Sequence, residues 1–117
     1  MRFLCLYKPG KPETGAPPTQ HEMDAMGKLI GEMMQAGVLI STEGCQPSAK
    51  GARVRLDSGQ FTVVDGPFAE AKELVGGMAV IQAASKQEAV EWTKRFLTVA
   101  GGGESEIRQL HEMPAPR

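Results

Sequence analysis

The sequence predicts an α+β sandwich in which a mainly antiparallel sheet carries its two main helices on one face. Three observations predict it. Two capping boxes each open an amphipathic helical stripe, and short apolar strands flank both stripes. With 41% hydrophobic and 23% charged side chains, the 117 residues suit one soluble domain rather than a disordered or membrane-spanning chain.

Residues 3–8 are apolar on both parities, with Phe3, Cys5 and Tyr7 on one and Leu4 and Leu6 on the other, which describes a strand buried on both faces. Prolines and glycines between 9 and 18 forbid helix and predict a long exposed loop. Thr19 with Glu22 forms the first capping box. Met23, Met26, Ile30, Met33 and Met34 follow at helical spacing, and Gly37 closes the end. Such a methionine stripe is read as core, because flexible thioethers fill irregular gaps.

Strands are expected at 38–43, 52–57 and 60–64, the last two joined by Ser58-Gly59 as a tight hairpin turn. Pro67 is placed to start a helix of about two turns over 69–74. After Gly76-Gly77, residues 78–81 read as another two-faced strand. Ser85 with Glu88 is the second capping box, leading into the stripe Ala89, Trp92, Phe96 and Leu97. A last strand is expected at 106–111, before the Pro114-Ala115-Pro116 tail.

Two helices cover one face of a sheet. Residues 3–7, 61–64 and 78–81 are nevertheless apolar on both faces, and a wetted face normally alternates with polar residues. A second copy is the economical cover, so a sheet-to-sheet homodimer hiding ~800 Å² per partner is expected, enclosing a chamber for a small-molecule ligand.

A net charge of -1 argues against nucleic acid, which wants a basic surface. Lys50-Gly51 superficially begins an RNA-recognition strand motif, but residues 52–56 lack the stacking aromatics. Gly101-Gly102-Gly103 is a connector and not a dinucleotide fingerprint, since no strand ends just before it, so no cofactor is expected. No metal is expected either: Cys5 and Cys45 lack nearby histidines and are read as buried free thiols. The apolar start is too short for a secretory segment and no run is long enough for a membrane span, so a cytoplasmic protein without membrane contact is expected.

The run Asp65-Gly66-Pro67-Phe68-Ala69-Glu70-Ala71-Lys72-Glu73, closed by Gly76-Gly77, resembles the signature of DGPF proteins, a branch of the YCII-related family. Tyr7 at the end of the first strand, a His-bearing first helix, Glu88-Ala89 to Trp92 and Glu106-Ile107-Arg108 are also similar to that family. The chain departs from it at Met78-Ala79, where aromatics are usual, and at Gln109, where proline is usual. The resemblance implies a ferredoxin-like dimeric α+β barrel. It further implies a His and Asp pair as the site, elimination chemistry on small hydroxylated aromatics in some relatives, and an indirect link to sigma-like regulators.

His21 and Asp65 are the matching candidates for catalytic residues. A first-turn imidazole faces the positive end of a helix dipole, an effect of ~0.3–1 kcal/mol, whereas direct contact with a carboxylate acts oppositely by ~1–3 pH units. The pair therefore serves as a general base only if the two touch. Asp65 also suits an Asx turn or a cap for residues 68–74, and His21 suits a solvent-facing first turn. Tyr7, Arg53, Phe68 and Lys72 are the candidate substrate-binding residues: a phenolic donor, two cations for an anionic substrate, and a hydrophobic plug. Two readings stay open, an enzyme performing acid-base elimination or isomerisation on a small polar or aromatic metabolite, and a non-catalytic ligand-binding or regulatory module.

Overall fold

The computed structural model describes residues 1–13 and 16–112, without the side chain of Lys72; the expected 114–116 tail lies outside the described residues. In chain order the elements are β1 (Arg2–Lys8), α1 (Gln20–Gln35), β2 (Leu39–Gly44), β3 (Ala52–Asp57), β4 (Gln60–Asp65), β5 (Gly77–Gln82), α2 (Lys86–Ala100) and β6 (Glu104–Gln109). Four strands form one antiparallel sheet in the order β2-β5-β1-β6. With β3 and β4 set aside, the chain reads βαββαβ with each helix crossing over an intervening strand, consistent with a ferredoxin-like fold.

Local chemistry sets the helix limits. The Thr19 hydroxyl accepts the Glu22 backbone N–H at 3.1 Å. At the other end of α1, the N–H of Gly37 donates to Met34 O at 3.1 Å and that of Val38 to Met33 O at 2.9 Å. These bonds form a Schellman closure, and Met33 and Val38 both enter the core. At α2, Ser85 Oγ accepts from Glu88 N–H at 3.1 Å while the Glu88 carboxylate accepts from Ala84 N–H at 2.9 Å. Phe3, Leu29, Met33, Val38, Ile81, Ala83 and Ala89 make the core between the helices and the sheet. Phe3 and Ile81 are its fully buried large members, each contributing about 1.5–3 kcal/mol of transfer free energy.

Four expectations are corrected. Residues 52–65 form a separate two-stranded hairpin and do not join the main sheet, so the apolar side chains of 61–64 are exposed and are not a buried two-faced strand. The two-turn helix over 69–74 is only a single 3₁₀ turn, Ala71–Glu73. The extended backbone of Glu70 breaks the segment before that turn. The last strand begins at Glu104 instead of 106. Both cysteines are free, but Cys45 is exposed and Cys5 half-buried.

Candidate functional site

The sheet has two faces of different character. Toward the helices point Phe3, Cys5 and Tyr7 of β1, Gly77, Ala79 and Ile81 of β5, and Ser105 and Ile107 of β6. A cavity of about 370 Å³ opens on this side. Small residues on the sheet create it. Gly77 and Ala79 lie across from Met26, Ile30 and Met33 of α1 and from Trp92, Thr93 and Phe96 of α2, so large helix residues meet little opposing volume. This cavity sits on the helix side of the sheet, within one chain.

Tyr7 and Phe96 form an edge-to-face pair with centroids 5.0 Å apart. The Tyr7 hydroxyl donates to Gly102 O at 3.1 Å, the Thr42 hydroxyl to Met78 O at 3.0 Å and the Thr93 hydroxyl to Ala89 O at 2.8 Å. Their protons are engaged, which leaves lone pairs for a ligand's donors. Burial pushes the Cys5 thiol up from its ordinary pKa, partly offset by its contact with Thr93, so it remains a protonated thiol near neutrality. Burial likewise raises Tyr7. No lysine or arginine lines the cavity among the described residues, and its one carboxylate, Glu43, is solvent-exposed.

Of the residues expected at the site, Tyr7 alone lines this cavity. His21 is exposed in the first turn of α1, Asp65 is exposed at the end of β4, and their side chains make no hydrogen bond or ion pair with one another or with any described residue. The Asx-turn or capping role for Asp65 is therefore not realised. Ser48 holds this turn instead: its N–H and hydroxyl donate to the Glu13 carboxylate at 2.7 and 3.2 Å while its Oγ accepts from Phe68. A Cβ on Gly66 would fall 1.8 Å from Ser48 O, which explains a glycine after Asp65.

Arg53 and Phe68 do meet, but in a structural contact. The Arg53 guanidinium lies 4.0 Å over the Phe68 ring and 3.7 Å from Glu73. Phe68 borders a separate open hollow of about 410 Å³ walled by Pro12, Pro47 and Leu74. The Lys72 side chain lies outside the described structure. Sequence reasoning read Met26, Met33, Trp92 and Phe96 as core stripe and missed that they enclose space. The signal was Ala79, where aromatics are usual. Among the described residues no group of three or more His, Cys, Asp or Glu is placed to hold a metal, and no helix is long and apolar enough to cross a membrane.

Comparison with known proteins places this geometry. Over 97% of this chain and 96% of the other, the fold is similar to that of TftG, the 5-chloro-2-hydroxyhydroquinone dehydrochlorinase of Burkholderia phenoliruptrix AC1100 in complex with 2,5-dihydroxybenzoquinone, with a TM-score of 0.51 and 14% identity. An uncharacterized protein of Rhizobium meliloti strain 1021, R00369, is 33% identical over 78 residues, or 66% of this chain; the match spans 63% of that relative's length. The model of the YCII-related domain matches residues 1–114, and the chain belongs to the YCII-related family.

Proposed function

We propose that this chain binds a small, uncharged, single-ring aromatic molecule bearing hydroxyl groups in the cavity between its helices and sheet. The observation that carries this reading is the wall itself: Tyr7, Trp92 and Phe96 offer ring faces and edges, hydroxyl lone pairs accept from ligand donors, and no described cation favours an anion. A volume of about 370 Å³ is at the small end of ligand sites. The ligand of the similarly folded dehydrochlorinase is likewise a single ring bearing two hydroxyl groups, although its vinylogous-acid hydroxyls ionise below neutrality.

Trp92 is the single tryptophan and reports directly on the cavity. Titration with the uncharged rings hydroquinone and catechol is expected to change its fluorescence saturably. Ala79→Leu, which fills the space, weakens binding by about tenfold or more, equivalent to ~1.4 kcal/mol. Absence of saturation, or equal binding by Ala79→Leu, overturns the reading.

The outer sheet face supports a homodimer. Leu4 pairs with Val80 and Leu6 with Met78, giving a half-buried apolar centre. Glu106, salt-bridged to Lys8 and Arg108, and exposed Glu43 stand at its rim. An apolar centre with a charged rim is the anatomy of an interface.

A catalytic reading is favoured by one observation, the fold shared with an enzyme that dehydrochlorinates a hydroxylated ring. In it, His21 takes a substrate proton with Asp65 orienting the imidazole, which requires the two to close upon association or ligand binding. If such a ring is turned over, His21→Ala lowers the rate by about 10²–10⁴-fold. Unchanged turnover removes His21 from the reaction, and a ring bound but not converted after long incubation leaves a binding module.

A further inference from the structure

The hairpin β3–β4 is an amphipathic arm. Its register pairs Val54 with Val63 and Leu56 with Phe61. Paired residues and their i+2 neighbours share a face, so these four side chains form one apolar surface while Arg53, Arg55, Thr62 and Val64 occupy the other. The apolar surface is bare: Phe61 is 73% exposed, Val54 66%, Leu56 63% and Val63 61%. Apart from one another, the two strands make only marginal contact with other elements. The molecule is extended, with a radius of gyration of 16.3 Å, where a compact chain of this length has about 13 Å.

We infer that the apolar face of this arm packs on a second copy of the chain, each protomer lending its arm to the other. A lone two-stranded hairpin is marginal in water, so the exposed face needs a cover. Area favours an identical partner. The arm alone offers on the order of 500 Å², a typical largest surface patch. In a two-fold dimer each copy contributes both an arm and a receiving face, which brings the total toward the ~800 Å² per partner of a stable interface. The outer sheet stripe of Leu4, Leu6, Met78 and Val80 provides further apolar area on the same chain. The inference rests on the sheet-face dimer proposed above and adds the arm to it.

The test is sedimentation velocity across a concentration series for wild type, Phe61→Glu, Val54→Lys and Leu6→Glu, with circular dichroism confirming that each is folded. The arm residues are exposed in the single chain, so charging them leaves its fold intact. The expected result is a wild-type dimer whose dissociation constant rises by about a hundredfold in both arm variants, as for a hot-spot loss. Arm variants that dimerise like wild type overturn the inference, and loss of the dimer in Leu6→Glu alone leaves the sheet-face reading standing. Weakening by the arm variants with no effect of Leu6→Glu keeps the arm and removes the sheet face. A wild-type monomer at the highest attainable concentration overturns both and assigns the arm to a different protein.

Discussion

The βαββαβ body and the inserted hairpin are both built from apolar strands and end in opposite states. Phe3 and Ile81 are sealed under two helices, whereas Phe61 and Val63 face solvent within one chain. Apolar patterning therefore specifies a strand without specifying what covers it. The body brings its own helices; the hairpin has none within reach.

The sharpest way to break this comparison is to truncate one phenylalanine in each region. Phe3→Ala removes a fully buried ring and is expected to destabilise by about 3–5 kcal/mol. Phe61→Ala in dilute solution stays within about 0.5 kcal/mol. Denaturant unfolding checks both, and an equal loss would mean that the arm is buried even in the isolated chain. An intermediate effect is expected at the joint between the regions. Gly66→Ala drives a methyl into the Ser48 carbonyl and should destabilise by ~1–3 kcal/mol, with altered amide exchange at Ser48 and Phe68. Unchanged exchange there would separate the turn from the latch.

The smallest effect belongs to the surface of the body. Arg95 of α2 is hydrogen-bonded to Glu32 of α1 and lies over the Trp92 ring. This guanidinium holds the Glu32 carboxyl below its ordinary pKa. A depressed carboxylate stabilises the fold above its unfolded value of about 4.3, and that contribution is lost as pH falls below it through the lower folded value. Arg95→Gln should return the Glu32 midpoint upward in a carbon NMR titration and flatten the acid limb of stability. An unmoved midpoint would show the pair to be absent in solution.

What the sequence made legible is what neighbours in sequence decide. Thr19 with Glu22 and Ser85 with Glu88 are four-residue devices; both hydroxyls cap their helices, and the return carboxylate bond forms at Glu88, to Ala84 N–H. Ser58-Gly59 turns the chain between β3 and β4 with positive φ at both residues, 50° and 79°. The 69–74 segment misled because the turn before it is fixed from twenty residues away, where Ser48 Oγ accepts from Phe68 N–H, and Glu70 is left extended. The cavity was hidden for a related reason. Trp92 and Phe96 have the spacing of core residues, and only their meeting with Gly77 and Ala79 across the fold turns a core stripe into a wall. His21 and Asp65 matched a motif pattern, but a pattern does not carry distance.

The connector after α2 carries a consequence for mutational tolerance. Gly103 is solvent-exposed, yet a methyl there would stand 2.9 Å from both the Lys8 carbonyl and the edge of the Tyr7 ring, at a φ of +98°. In a saturation scan this wetted position should reject every substitution as sternly as the sealed Phe3. Nearby, the Gly102 carbonyl anchors the phenol that forms one wall of the cavity. Substitution at Gly103 should therefore register as lost folding, whereas a change at Gly102 that moves its carbonyl should register first as a displaced Tyr7 hydroxyl.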